Sequence, residues 1–212
     1  MPVSGSVALP PPPERPAPVV RGFVDRVENP KKPIQPVNVG PYLLIVLDPE
    51  KAEGTGTPGQ VKWELVGDSF GQPVLGAMIG AQVVIKNTSN TARTLVALED
   101  AKLITTGLIN PKIGERTFTV TDKRIYTITD KDAPHLVGKV VVVSTPYIAH
   151  VEVTNNVGKY EIADVPDGTY KLRIFYKDHW LDQTDSVTVP AKGKSHEANI
   201  KITAPLQPIE KK

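Results

Sequence analysis

The chain has 212 residues, enough for one large domain or two small ones. Its residues are 40% hydrophobic and only 6% aromatic, so its cores must be built from Val, Ile and Leu. A net charge of +2, with lysines and arginines spread among the acids and no basic block, argues against a nucleic-acid-binding surface. There is no cysteine, which excludes disulfides, thiolate metal sites and a cysteine nucleophile, and no apolar run approaches the roughly 20 residues of a membrane-spanning helix.

Punctuation by 21 prolines and 16 glycines, with β-branched residues dominant, favours many short strands. No window carries apolar residues at helical spacing behind a proper cap, so the expected class is all-β. Val3 to Leu9 (Val-Ser-Gly-Ser-Val-Ala-Leu) alternates as a short strand. Pro10 to Pro18 holds six prolines in nine positions and is expected to be polyproline II, either a rigid spacer or a docking ligand. Arg21 to Val39 is irregular, and residues 1–41 together read as an N-terminal strand and Pro-rich arm lying on the first domain.

Tyr42 to Leu47 (Tyr-Leu-Leu-Ile-Val-Leu) is continuously apolar, the mark of a strand buried on both faces. A polar loop, Asp48 to Gln60, precedes strands at Val61 to Val66 and Val83 to Lys86, the latter after a Gly80 turn. Thr94 to Leu98 and Lys102 to Thr105 are further strand candidates. Arg116 to Val120 and Ile125 to Thr129 read as a hairpin around Thr121-Asp122-Lys123. Lys139 to Val143 and His150 to Val153 open a second unit. Tyr160 and Ile162 alternate before Val165-Pro166-Asp167-Gly168, and Tyr170, Leu172, Ile174 and Tyr176 alternate after it. Pro166 presets φ, Gly168 supplies a positive φ, and the two runs read as a second hairpin. Ser186 to Val189 and His196 to Ile202 close the set before a Pro/Lys tail at residues 204–212. Strands at such spacing, with turns between them, are the signature of sandwiches.

Residues from about Gly138 to Thr203 resemble the carboxypeptidase regulatory-like domain, a transthyretin-like β-sandwich. The likeness rests on Val-Gly-Lys-Tyr-Glu-Ile followed by Asp-Val-Pro-Asp-Gly-Thr-Tyr-Lys-Leu-Arg-Ile. Residues from about Tyr42 to Leu136 resemble a cupredoxin-like domain through Phe70, Pro73, Val74-Leu75, Gly80, Val83-Val84-Ile85-Lys86-Asn87, Phe118 and Tyr126. The resemblances imply two β-sandwich domains, a cupredoxin-like Greek key over residues 42–137 and a regulatory-like sandwich over 138–203. The join near 136–138 is expected to hold them rigidly together. Copper-bearing cupredoxins place a histidine a few residues after the strand-ending asparagine, where Arg93 stands here. They then use a cysteine, a second histidine and often a methionine, and the comparison sets Asp130, Ala133 and Leu136 there. None of those four ligands is present, and a blue-copper site needs a thiolate with two imidazoles.

The remaining site candidates are few. His135, His150, His179 and His196 show no ligand spacing, although His135 and His150 flank one strand and form an alternative Cu or Zn pair. Asp122, Asp130 and Asp132 form a candidate Ca²⁺ loop that lacks the terminal glutamate of a dedicated one. No Gly-x-Ser-x-Gly elbow or phosphate-binding loop occurs, so no enzyme activity and no cofactor are expected. The expected role is a non-enzymatic, bacterial cell-envelope accessory or scaffold protein acting through protein partners. Tyr42, Trp63, Phe70, Tyr176 and Trp180 are the expected contact residues. A metal-handling protein and a carbohydrate-binding module stacking sugar on Trp180 and Tyr176 are the alternatives. Such a role places the chain in the periplasm or at the cell surface with a signal peptide removed, or in the cytoplasm if Met1 is native.

Overall fold

Apolar faces that alternate with wet ones have to be covered from one side, and those that do not alternate have to be covered from both. The computed structural model describes residues 1–10, 38–50, 56–154, 157–203 and 206, and both patterns find their covers there. The strands in chain order begin with β1 (Val3–Ala8), β2 (Leu43–Pro49), β3 (Gln60–Val66), β4 (Ser69–Phe70), β5 (Val74–Met78) and β6 (Gln82–Asn87). Next come β7 (Leu95–Ala97), β8 (Glu115–Thr119), β9 (Ile125–Asp130), β10 (Val137–Val143), β11 (Ile148–His150) and β12 (Glu152–Thr154). The set closes with β13 (Val157–Ile162), β14 (Gly168–Tyr176), β15 (His179–Val189), β16 (His196–Glu197) and β17 (Ile200–Lys201). A single 3-10 turn, Gly40–Tyr42, leads into β2, and no α-helix occurs among the described residues. The fold is all-β, as the composition requires.

The strands form four sheets, ordered β4-β3-β6-β8, β5-β10-β9-β7, β11-β2-β14-β15 and β12-β13-β1-β16, with β17 also on β1. Three apolar layers join them into a stack. The first, between the β3 sheet and the β10 sheet, holds Trp63, Leu65, Phe70, Ile85, Tyr126 and Val140. The third, between the β2 sheet and the β1 sheet, holds Val3, Leu43, Ile45, Leu47, Tyr160 and Leu172. The middle layer, Leu44, Val46, Val74, Val141, Val143 and Phe175, packs the two sandwiches on each other. Leu43, Ile45 and Leu47 therefore face one core and Leu44 and Val46 another, which is why β2 reads as an unbroken apolar run. Each such side chain contributes about 1.5–3 kcal/mol on burial, so the middle layer is a true core and not a loose domain contact.

The division into domains differs from the expected one. Strand β1 does not lie on the first sandwich; it pairs with β13, from Val3↔Ile162 to Ala8↔Val157. Strand β2 pairs with β14 and β11, so it too belongs to the second sandwich. Strand β10, expected to open the second unit, pairs with β5 and β9 in the first. Because Val46 lies directly opposite Ile148, the first sandwich (residues 60–143) is an insertion into the connection between two neighbouring strands of the second. The join is not at 136–138. The chain crosses between sandwiches twice, after Pro49 and after Val143.

Neither expected hairpin is one. Strand β8 pairs with β6 and β9 with β10, in opposite sheets of the first sandwich. Strand β13 pairs with β1 and β14 with β2, in opposite sheets of the second. Both connections are arches that carry the chain across a core. At the second, Gly168 does take φ 147°, and the Tyr170 hydroxyl donates to the Pro166 carbonyl at 3.0 Å. Lys102 to Thr105 is not a strand; it is turned by Asp100, whose side chain and carbonyl accept the Lys102 and Leu103 amides. The expected proline-rich segment 11–37, loop residues 51–55, the turn residues 155–156 and most of the 204–212 tail lie outside the described residues.

Candidate functional site

Parallel β3 and β6 run to the same end of the first sandwich and finish at Val66 and Asn87. There β8 begins, opposite Lys86, β9 ends at Asp130 and β10 starts at Val137. The loops 67–68, 88–94, 107–114 and 131–136 therefore meet at one end. Asn87, wholly buried, is the hub of the 88–94 loop. Its amide donates to the carbonyls of Thr91 (2.8 Å) and Ile109 (3.1 Å), and its Oδ1 accepts from the Ser89 amide and hydroxyl. An asparagine suits this place because one side chain satisfies both donors and acceptors of a buried turn.

Arg93 lies beneath, only 4% exposed, with its backbone bridged to Ile109 in both directions. Its Nη2 donates to the Gly67 carbonyl (3.1 Å) and to the Asp68 carboxylate. Its Nη1 lies 3.6 Å from Oδ2 of Asp130, itself 2% exposed, and its Nε has no partner. The other Asp130 oxygen accepts the Asp132 amide at 2.8 Å, and the Lys131 amide donates to the Thr94 carbonyl. One guanidinium thus joins the 67–68 loop, the 93–109 bridge and the end of β9.

Arg93 and Asp130 are two of the positions that the sequence comparison set against copper ligands, and they meet in space. The residues present do not fit a copper centre. A guanidinium is always protonated and offers no lone pair, no thiol exists in the chain, and Leu136 is buried in the apolar layer. Chemically this is a fixed cation seated on a buried carboxylate, closed over by Asp68.

The other sequence-derived candidates fall elsewhere. His135 is exposed on the 131–136 loop of the first sandwich, while His150 is half-buried on β11 of the second. Ala149 and Val151 enter the third layer, so His150 faces the opposite way with Ile148, and its Nδ1 is buried without a partner. Desolvation holds its pKa down at about 4. Among the described residues no group of three His, Cys, Asp or Glu is placed to hold a metal. The proposed Ca²⁺ set is split. Asp130 is engaged by Arg93, whereas Asp122 precedes the other end of β9 and pairs with Arg124 at 3.2 Å.

Three of the expected contact residues are buried and cannot present a surface. Trp63 stacks on Phe70 (centroids 3.9 Å apart, 17° between planes), and its indole N–H donates to the Gln72 carbonyl at 2.7 Å. Tyr176 sits in the third layer. Alternation could not distinguish inward from outward aromatics without knowing which side each sheet covers. Tyr42 is half-buried against the third layer. Trp180 is half-buried over the middle layer, with the Arg173 guanidinium 4.0 Å above its ring and Phe175 at its edge. Trp180 and Tyr176 thus face opposite sides of one sheet and form no joint stacking platform.

Sequence reasoning missed the exposed apolar residues of the loop end. Val66 (51% exposed), Leu108 (61%), Ile113 (80%) and Val137 (45%) all stand there, four of the six large hydrophobics exposed among the described residues. Leu108 and Ile113 lie in a stretch broken by Gly, Pro and Asn, Gly107 to Gly114, and large aliphatics in such a loop were the available signal.

No protein-family model matches the chain, and no curated protein matches it. Solved structures do. A purple cupredoxin from Nitrosopumilus maritimus is 13% identical, with 39% of this chain and 98% of that chain covered at a TM-score of 0.35. An oxidized methionine-to-leucine mutant of amicyanin is 18% identical, with 47% and 98% covered at 0.36. A reduced Cu(I) form of a proline-to-glycine amicyanin mutant is 19% identical, with 47% and 98% covered at 0.35.

Proposed function

We propose that this chain is a non-enzymatic accessory or scaffold protein of a bacterial cell envelope, periplasmic or surface-located, that holds a protein partner on the loop end of its first sandwich. In this reading the first sandwich is a cupredoxin-type shell with other chemistry at its ligand positions, and the second is a carboxypeptidase regulatory-like module that carries it. The observation that supports it is the exposure of Leu108 and Ile113 together on the 107–114 loop of that end. Single exposed aliphatics need no explanation, but two large ones on one short loop form an apolar spot that a partner can cover. The loops beneath are held by buried polar bonds of Asn87 and Arg93, so the face is presented in one shape and little ordering entropy opposes binding.

The test is quantitative capture from envelope extract, with wild type and a Leu108→Asp/Ile113→Asp double variant compared at equal loading. A stoichiometric partner retained by wild type and lost at least tenfold by the variant, with unchanged circular dichroism, supports the reading. Equal retention by both proteins, or no partner at any loading, overturns it.

A further inference from the structure

A solvated loop end has no need of a buried arginine. Removing Arg93 and Asp130 from water costs each its hydration, and two apolar residues of like volume serve stability as well or better. What an apolar pair cannot do is aim. Arg93 reaches the Gly67 carbonyl, the Asp68 carboxylate and Asp130 from a backbone bridged to Ile109, so one planar fork fixes the mutual position of three loops and a strand end. A bound metal ion does the same work where side chains from several loops converge on it, by drawing lone pairs to one positive centre. Here the positive centre is covalently part of the chain.

We propose that Arg93 is a built-in cation standing where a metal centre would stand, so that the loop end keeps a fixed shape without taking up a transition metal. This rests on the reading of the first sandwich as a cupredoxin-type shell, and adds that its pocket is plugged rather than vacant. The Arg93 side chain acts as a positioning group for the 67–68 loop and the end of β9. Its guanidinium has no lone pair for a metal, and its charge repels a second cation from Asp130.

Two measurements test this. In the first, wild type is titrated with Cu(II) and separately with Zn(II), and backbone amide signals are followed by NMR. The expected result is no broadening or shift at Asp68, Arg93, Ile109 or Asp130 at equimolar metal. Changes confined to the exposed His135 or His179 leave the pocket closed and agree with it. Saturable broadening centred on Asp130 overturns the proposal. In the second, Arg93→Met, Asp130→Leu and the double variant are compared. Each single change lowers the folding equilibrium constant about 100-fold, roughly 2.7 kcal/mol at 1.36 kcal/mol per decade, and the double variant regains at least tenfold. Amide exchange at residues 67–69 and 131–132 speeds at least tenfold in Arg93→Met, while β14 and β15 of the second sandwich are unchanged. Additive losses, or exchange that rises equally in both sandwiches, overturn it. Should Arg93→Met not fold, Arg93→Lys keeps the charge but not the fork and takes its place in the exchange measurement. Failure of the partner-capture experiment leaves these outcomes untouched, so the two proposals can fail separately.

Discussion

Acid should loosen this protein through one histidine. His150 faces away from the third layer toward the junction of the two sandwiches, and its buried Nδ1 finds no partner there. Burial therefore penalises the imidazolium, and the folded pKa is held near 4 against an ordinary value of 6.5. A histidine lowered on folding binds its proton more readily in the unfolded chain. Its contribution to stability is complete above pH 6.5 and is lost as pH falls toward 4, below which both states are protonated and the loss levels off. The gap of about 2.5 units corresponds to about 3 kcal/mol at 1.36 kcal/mol per unit. The assay is urea denaturation at intervals from pH 7.5 to 3.5, for wild type and for His150→Leu, which removes both the titration and the unpartnered nitrogen. The variant should match wild type within about 1 kcal/mol at pH 7.5, and should be about 3 kcal/mol less sensitive to the fall from pH 6.5 to 4. Parallel curves for the two proteins would show that some other group sets the acid response and that His150 is hydrated in solution.

Two packing predictions follow from the layers. A Cβ on Gly138 would lie 2.4 Å from Cζ2 of Trp63 and 2.5 Å from Cδ2 of Phe70, both rigid ring atoms of the stacked pair. Gly138→Ala should therefore cost about 1–3 kcal/mol by overpacking, and an unchanged thermal melt would mean that the stack is not formed as described. Phe175 is wholly buried in the middle layer with its edge against Trp180. Phe175→Ala should cost about 3–5 kcal/mol in urea; a loss below about 1 kcal/mol would mean that the two sandwiches do not share a core.

The candidate site was legible in part. A residue-by-residue comparison singles out Arg93 by its distance from the strand-ending Asn87, and Asp130 by its distance ahead of Val140. That the two form an ion pair was not legible, since Arg93 and Asp130 lie on separate strands' ends and meet only when β7 pairs with β9. Asp68 is further still from suspicion: an exposed turn aspartate looks like any other until the Gly67-Asp68 loop is brought over the guanidinium. The contact aromatics went wrong for a related reason. Trp63 and Phe70 are large aromatics, and a large aromatic fills the first layer as readily as it anchors a contact.

By itself the sequence determined the class and the alternation of several strands, though not which side of each sheet would be covered. Side-chain direction alternates with period two, and the residues that needed cover, such as Tyr160, Ile162, Leu172 and Ile174, announce their face locally. It also marked β2 as buried on both sides. The tertiary structure alone decided partnership. An arch and a hairpin present the same alternation and the same turn residues, and they differ only in whether the second strand bonds to the first or faces it across a core. A strand's ladder groups are identical at every residue, so the choice falls to distant apolar faces: β13 finds β1, β14 finds β2, and residues 60–143 fold as a separate sandwich between two strands that remain neighbours.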